Sequence, residues 1–182
     1  MLLAGFAIGM ALLSALLSLF SPLHASLLRL LVTPLIGLAG LLALAAGVLT
    51  LAQGDVFTAE LPFGLPWLSW QLRIDALSGF FLCVIGIISL AVGVYARGYV
   101  RGYEHGRDSL AVLGGFTGLF LAGMLLVVLA DDAFMFMVAW ELMSLASYFL
   151  VAFHHDHAAN RRAAFLYFIM AHVGALTILL GF

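Results

Sequence analysis

Apolar residues along most of this chain neither alternate nor recur at helical spacing; they run on. Such stretches span Leu2 to Phe20, Leu30 to Ala52, Ala76 to Ala96, Leu110 to Ala130, Ala133 to Phe153 and Ala163 to Phe182, and the acid inside them is Glu141. Each is close to the roughly 20 residues a helix needs to cross a hydrocarbon core of about 30 Å. A helix that is apolar all round is one whose solvent is lipid. The pattern predicts an all-α polytopic membrane helical bundle of about six transmembrane helices with short connections. The first run reads as a span rather than a signal peptide. It has no basic n-region, it is long for an h-region, and Leu23 stands where a small residue should precede a cleavage site.

One stretch departs from this pattern. Trp70, Leu72 and Ile74 alternate with Gln71, Arg73 and Asp75, the period of a half-buried strand. A hairpin-like outer loop over 54–75 follows, with its turn in Pro62-Phe63-Gly64-Leu65-Pro66 and with Trp67 and Trp70 suited to the membrane interface. An irregular interfacial loop is the alternative. Gly5 with Gly9, and Gly114 with Gly118, stand one helical turn apart, a spacing that lets helix backbones approach closely in lipid.

Of the 182 residues, 65% are hydrophobic and 9% charged, against about 25% charged in soluble domains. A soluble globular fold is excluded. The cations are all Arg, and their placement sets the orientation. Connections after the first, third and fifth runs hold Arg29, then Arg97, Arg101 and Arg107, then Arg161 and Arg162, whereas the others hold Arg73 alone. Positive residues are retained in the cytoplasm, so the N-terminus, the 54–75 loop and the Asp131-Asp132 corner are expected outside it.

No block of like charge suits nucleic acid. The lone Cys83 can close no internal disulfide and cannot by itself hold an iron–sulfur cluster or a structural zinc. No nucleotide fingerprint, Walker loop, HExxH or Ser-His-Asp arrangement is present, so no cofactor is expected. The His154-His155-Asp156-His157 run is not read as a metal site, because adjacent residues rarely converge on one ion. Any redox chemistry must reside in a partner.

Glu141 is the residue that calls for chemistry. It lies about 12 Å into the fifth run at 1.5 Å per residue, near the middle of the core. An ionised acid there costs about 2.5 to 3.5 kcal/mol, so the carboxyl is expected to hold or exchange a proton. Ser144 and Tyr148 fall within about 60° of it around the helix, forming a polar stripe for water or a partner helix. His172, in the antiparallel sixth run, is expected about 13 to 14 Å from the opposite face, roughly 5 Å from Glu141 in depth. An imidazole at that level trades protons readily, which suggests a two-member relay; a histidine bonded to a backbone carbonyl is the plainer reading. Asp131 and Asp132 suit either an outer mouth for protons or a helix cap. Arg161 and Arg162 are expected only to enforce topology.

With Arg73-Ile74-Asp75-Ala76-Leu77-Ser78-Gly79-Phe80-Phe81 and Trp140-Glu141-Leu142-Met143-Ser144-Leu145-Ala146-Ser147-Tyr148-Phe149-Leu150, the chain resembles the antiporter-like proton-translocating membrane subunits of respiratory complex I. Tyr167-Phe168-Ile169-Met170-Ala171-His172-Val173-Gly174 is similar to the sixth helix of the branch that holds hydrogenase-4 component B and the formate hydrogenlyase membrane subunit. That resemblance implies a transporter fold of inverted repeats with broken helices. Residues 1–109 would be three introductory helices and 110–182 the first three helices of a proton-translocating repeat, truncated before the broken helix and its lysines. Glu141 would be the family's fifth-helix glutamate, and His172 part of its midplane hydrophilic axis.

The implied function is proton translocation, with sodium as the alternative ion, coupled to electron transfer in other membrane subunits of a hydrogenase-4 or NADH:quinone oxidoreductase complex of the bacterial inner membrane. The subunit itself would carry no redox centre. A structural scaffold that anchors a redox complex, with Glu141 as neutral packing, is the competing reading. A quinone-site enzyme lacks any cofactor motif.

Overall fold

The computed structural model describes residues 1–20, 28–65, 68–101, 110–153 and 156–181. Helices α1 (Leu2–Ser18) and α2 (Thr33–Gln53) precede a hairpin of β1 (Phe57–Leu65) and β2 (Leu68–Ile74). Helices α3 (Ala76–Arg101), α4 (Leu110–Leu129), α5 (Ala133–Val151) and α6 (Ala158–Leu179) follow. Among the described residues five helices are long and apolar enough to cross a membrane, from Leu30–Gln53 to Ala158–Leu179, and Leu2–Ser18 is a shorter apolar one. The all-α membrane bundle expected from the apolar runs is thus present. A π-helical turn at Leu28–Val32 leads into α2, where Pro34 has no N–H to close an α-turn on Leu30.

Two boundaries differ from the apolar runs by five residues. Helix α3 continues past Ala96 to Arg101, and α6 starts at Ala158 rather than Ala163. Charged residues end a span in lipid without ending a helix, whose backbone bonds continue into the interface. Arg161 therefore rides on the first turn of α6, where its guanidinium donates to the Asp156 carbonyl at 3.1 Å. Arg107, His154, His155, Pro66 and Trp67 lie outside the described residues.

Packing is set by missing side chains. Helices α2 and α3 run so close that a Cβ on Gly40 would stand 2.6 Å from the Leu90 nitrogen, one on Gly86 2.5 Å from the Leu44 nitrogen, and one on Gly93 2.5 Å from the Gly37 nitrogen. Gly79, Gly86 and Gly93 recur every two turns along this seam. On α4, a Cβ at Gly118 would meet Ser14 Oγ at 2.5 Å and the Ala11 carbonyl at 2.6 Å, so α1 packs there as the glycine spacing predicts. Gly5 and Gly9 do not behave alike: both face open space. The buried stripe of α1 is instead Ala4, Ala7, Ala11, Ser14, Ala15 and Ser18.

The 54–75 loop is a hairpin, with Phe57 paired to Ile74 and Leu65 to Leu68. Of the segment expected to turn, Pro62 to Leu65 belong to β1 instead. Pro62 and Phe63 fall at the register shift between Leu61 and Gly64, and Gly64 has a φ of 120°. A proline cannot donate to a ladder, and an irregularity is one place a strand accommodates it. The alternation holds: Leu72 and Ile74 are buried, Gln71 and Arg73 exposed.

Asp132 joins this hairpin to the helices. Its Oδ1 accepts from the Met135 N–H at 2.7 Å, capping α5, and its Oδ2 accepts from the Gln71 N–H at 2.9 Å. The Asp131 N–H donates to the Gln71 carbonyl at 2.9 Å, and Arg73 lies 3.5 Å from Asp75 and 3.8 Å from Asp131. At the start of α3, the Asp75 carboxylate accepts the Ser78 N–H at 2.9 Å. That bond first, helped by the nearby Arg73 charge, holds the Asp75 carboxyl below its ordinary pKa despite partial burial.

Candidate proton-exchange site

Helices α5 and α6 are antiparallel neighbours, and their facing polar groups meet near mid-span. Glu141 Oε2 lies 3.1 Å from His172 Nε2. The other ring nitrogen of His172, Nδ1, is 2.9 Å from the Phe168 carbonyl one turn earlier on its own helix. Both readings of His172, backbone-bonded and paired with Glu141, hold at once.

The two bonds fix the proton arithmetic. A carbonyl only accepts, so Nδ1 carries a hydrogen. In a neutral imidazole Nε2 is then a lone pair, and a bond to Glu141 needs one proton between them. That proton belongs either to a carboxylic acid donating to nitrogen or to an imidazolium donating to a carboxylate. Both forms carry zero net charge, which lessens the cost of placing two ionisable groups in lipid. Adding a second proton or removing the shared one leaves a net charge, and removing it also sets a nitrogen lone pair against a carboxylate, with no hydrogen between them.

The surroundings hold the pair in place. The His172 ring packs on Phe168 with centroids 4.0 Å apart, and Phe168 meets the edge of Tyr148 at 5.3 Å. Phe149 stacks on Phe116 of α4 at 4.3 Å, extending the aromatic contacts across three helices. Tyr148 thus contributes its ring. Ser144 is buried and donates to the Glu141 backbone carbonyl at 3.1 Å, not to its carboxyl. One side of the pair is open, with 42% of the Glu141 side chain and 37% of the His172 side chain accessible. The Trp140 indole N–H, beside Glu141 in sequence, is buried with no acceptor among the described residues.

Asp131 and Asp132 stand at the N-terminal end of α5, engaged with the hairpin and the helix cap, and are not in contact with Glu141. Reasoning from the sequence also missed two residues. Ser147, buried, shares a hydrogen bond of 2.7 Å with the Tyr167 hydroxyl across the α5–α6 interface. Ser147 lies six residues beyond Glu141 and Tyr167 five before His172, so the two pairs share one antiparallel register. That register was the available signal.

The described residues thus form a helical bundle with membrane-length apolar helices and an acid–imidazole pair near mid-span. Comparison with known proteins makes the class specific. Residues 61–108 match the family model described as NADH-ubiquinone oxidoreductase (complex I), chain 5 N-terminus. Residues 130–182, which hold Glu141 and His172, match the one described as NADH:quinone oxidoreductase/Mrp antiporter, TM. The chain belongs to this antiporter-like family of membrane subunits.

Among similar proteins, hydrogenase-4 component B of Escherichia coli (strain K12) is 34% identical over 154 residues, 81% of this chain and 22% of that protein. The putative antiporter subunit mnhA2 of Staphylococcus aureus (strain MRSA252) is 32% identical over 127 residues, 67% of this chain and 16% of that protein. The chain therefore spans about a fifth of the length of these relatives. A chain of the membrane-bound sulfane sulfur reductase (MBS), an archaeal respiratory membrane complex, superposes with a TM-score of 0.78 at 20% identity, covering 98% of this chain and 36% of that one. That likeness establishes a shared fold.

Proposed function

We propose that the chain is part of a proton-translocating subunit of a redox-driven membrane complex, with Glu141 and His172 sharing the proton that moves. The 3.1 Å contact between Glu141 Oε2 and His172 Nε2 carries this reading, because Nδ1 is already committed to the Phe168 carbonyl. A pair that is neutral with one shared proton, and charged with none or two, responds to any charge that appears nearby. A partner subunit undergoing electron transfer supplies such a change through its differential effect on the two charge states.

The hydrogenase-4 relative and the NADH:quinone oxidoreductase family description support such chemistry in the partner; we take the ion to be the proton, with sodium as the alternative, and the location to be the bacterial inner membrane. Asp131 and Asp132 stand at the opposite end of α5 from Arg161, where an outer mouth would lie under the orientation set by the arginines. We read residues 1–109 as the introductory part and 110–182 as the start of the translocating repeat.

Replacing Glu141 by Gln in the assembled complex tests this directly. Loss of ion pumping with normal assembly and normal electron transfer is the expected result. Unaltered pumping would leave the scaffold reading, in which Glu141 is only neutral packing.

A further inference from the structure

We infer that the Ser147–Tyr167 hydroxyl pair is a proton relay that feeds the Glu141–His172 site from the side of the membrane where Arg161 and Arg162 lie; this rests on the function proposed above. A serine hydroxyl has one hydrogen and can accept as well as donate. Ser147 Oγ lies 2.8 Å from the Ser144 carbonyl and 2.7 Å from Tyr167 Oη. When Ser147 donates to the carbonyl, Tyr167 must donate to Ser147. In this arrangement Ser147 accepts from Tyr167 and donates onward on its own helix, the polarity that passage of a proton from Tyr167 to Ser147 requires.

The placement is directional. Arg161 and Arg162 stand in the first turn of α6, followed by Tyr167 and then His172. On α5, Glu141 is followed by Ser144 and Ser147 towards that same end. The hydroxyl pair therefore lies between the arginine-bearing surface and the acid, about 8 to 9 Å from it along the helices at 1.5 Å per residue. Tyr167 is 40% exposed, while Ser147 is buried. Among groups on the helices in contact, the titratable ones nearest this level are Glu141 and Tyr148 on α5 and His172 on α6. Helix α4 has none from Leu110 to Leu129.

The transfer balances by hopping. A hydronium on the arginine side gives a proton to Tyr167 Oη and leaves as water, while Tyr167 passes its own proton to Ser147 Oγ. Ser147 passes its hydrogen to a short chain of waters that covers the about 8 to 9 Å to the pair, where the Glu141 carboxylate takes up a proton. Each hydroxyl gives one proton and receives one, and no free phenolate or alkoxide is left.

The test uses the protein in lipid vesicles, with a pH jump applied to one side and the Glu141 carboxyl followed by time-resolved infrared absorption; Glu141→Gln identifies the band. Tyr167→Phe and Ser147→Ala are expected to slow the exchange by about tenfold or more when the jump is applied on the arginine side. They should leave it unchanged from the other side, with the equilibrium band amplitude intact. Ser147→Thr, which keeps the hydroxyl, should restore the rate. Rates within about twofold of the unaltered protein in both variants, from the arginine side, would overturn the relay while leaving the site itself standing. A Glu141 carboxyl that exchanges no proton in the unaltered protein would instead overturn the function reading on which the relay rests.

Discussion

Gly86→Ala isolates what the α2–α3 seam contributes. The new methyl group would lie 2.5 Å from the Leu44 nitrogen, 2.7 Å from the Gly40 carbonyl oxygen and 2.8 Å from Leu44 Cα. All three are backbone atoms, so no side chain can rotate away. Restoring an ordinary carbon contact near 3.5 Å requires the helices to part by about 1 Å, a gap that forfeits up to about half of each dispersion well it opens. Overpacking of this kind costs about 1 to 3 kcal/mol. Replacing a mid-helix glycine returns about 0.5 to 1 kcal/mol. The net loss is at most about 2.5 kcal/mol and about 1 kcal/mol at the centre of these ranges, a factor of about 5 in the folded ratio. Gly98 is the internal control, since it lies on the same helix with nothing within 4 Å of its Cβ position. Denaturation in mixed micelles should show Gly86→Ala less stable than the unaltered protein and Gly98→Ala equal or more stable. Equal stability of the two variants would refute the close-approach argument.

Two further predictions concern the helix caps beside the hairpin. Asp132→Ala removes both the α5 cap and the acceptor for Gln71, an expected loss of about 1 to 3 kcal/mol; Asp132→Asn keeps one acceptor oxygen for two donors, so hydrogen exchange at the Gln71 or Met135 amide should rise, but not at both alike. The Asp75 carboxyl is held below its ordinary pKa chiefly by the Ser78 N–H, so its stabilisation is present above the unfolded pKa near 3.9 and is lost as pH falls through the lower folded value. Stability measured against pH should therefore lose part of its acid dependence in Asp75→Asn, and an unchanged acid limb would count against the Ser78 cap as its source.

Much of this architecture was readable from the chain, because lipid leaves the backbone few choices. Uninterrupted apolar runs have to be helices, and the arithmetic of 1.5 Å per residue placed Glu141 and His172 at similar depth before any contact was known. Their 3.1 Å approach realises that estimate. The same arithmetic did not reach Ser147 and Tyr167. Ser147 is six residues from Glu141, about 120° around the helix from it and outside the stripe that Ser144 and Tyr148 share with it. Only the facing register of α5 and α6 reveals the pair, and that register depends on α6 beginning at Ala158, inside a polar segment. The α2–α3 seam was hidden for a related reason. Its glycines recur at seven residues rather than four, and close approach depends on both helices together. In the hairpin, Pro62 and Gly64 look like turn residues and serve instead at a strand irregularity, a choice made by the pairing of Leu65 with Leu68.

The most direct measurement of the central claim follows both ends of the shared proton at once, in lipid and as pH is varied. The Glu141 carboxyl is read by its infrared band, assigned with Glu141→Gln, and the His172 ring nitrogens by nitrogen magnetic resonance. The account predicts that Nδ1 stays protonated throughout the neutral range. It also predicts that Nε2 gains its hydrogen only as the carboxyl loses one, and that substituting either residue shifts the titration of the other. A carboxylate beside a neutral imidazole over that whole range, each titrating as though the other were absent, would contradict it.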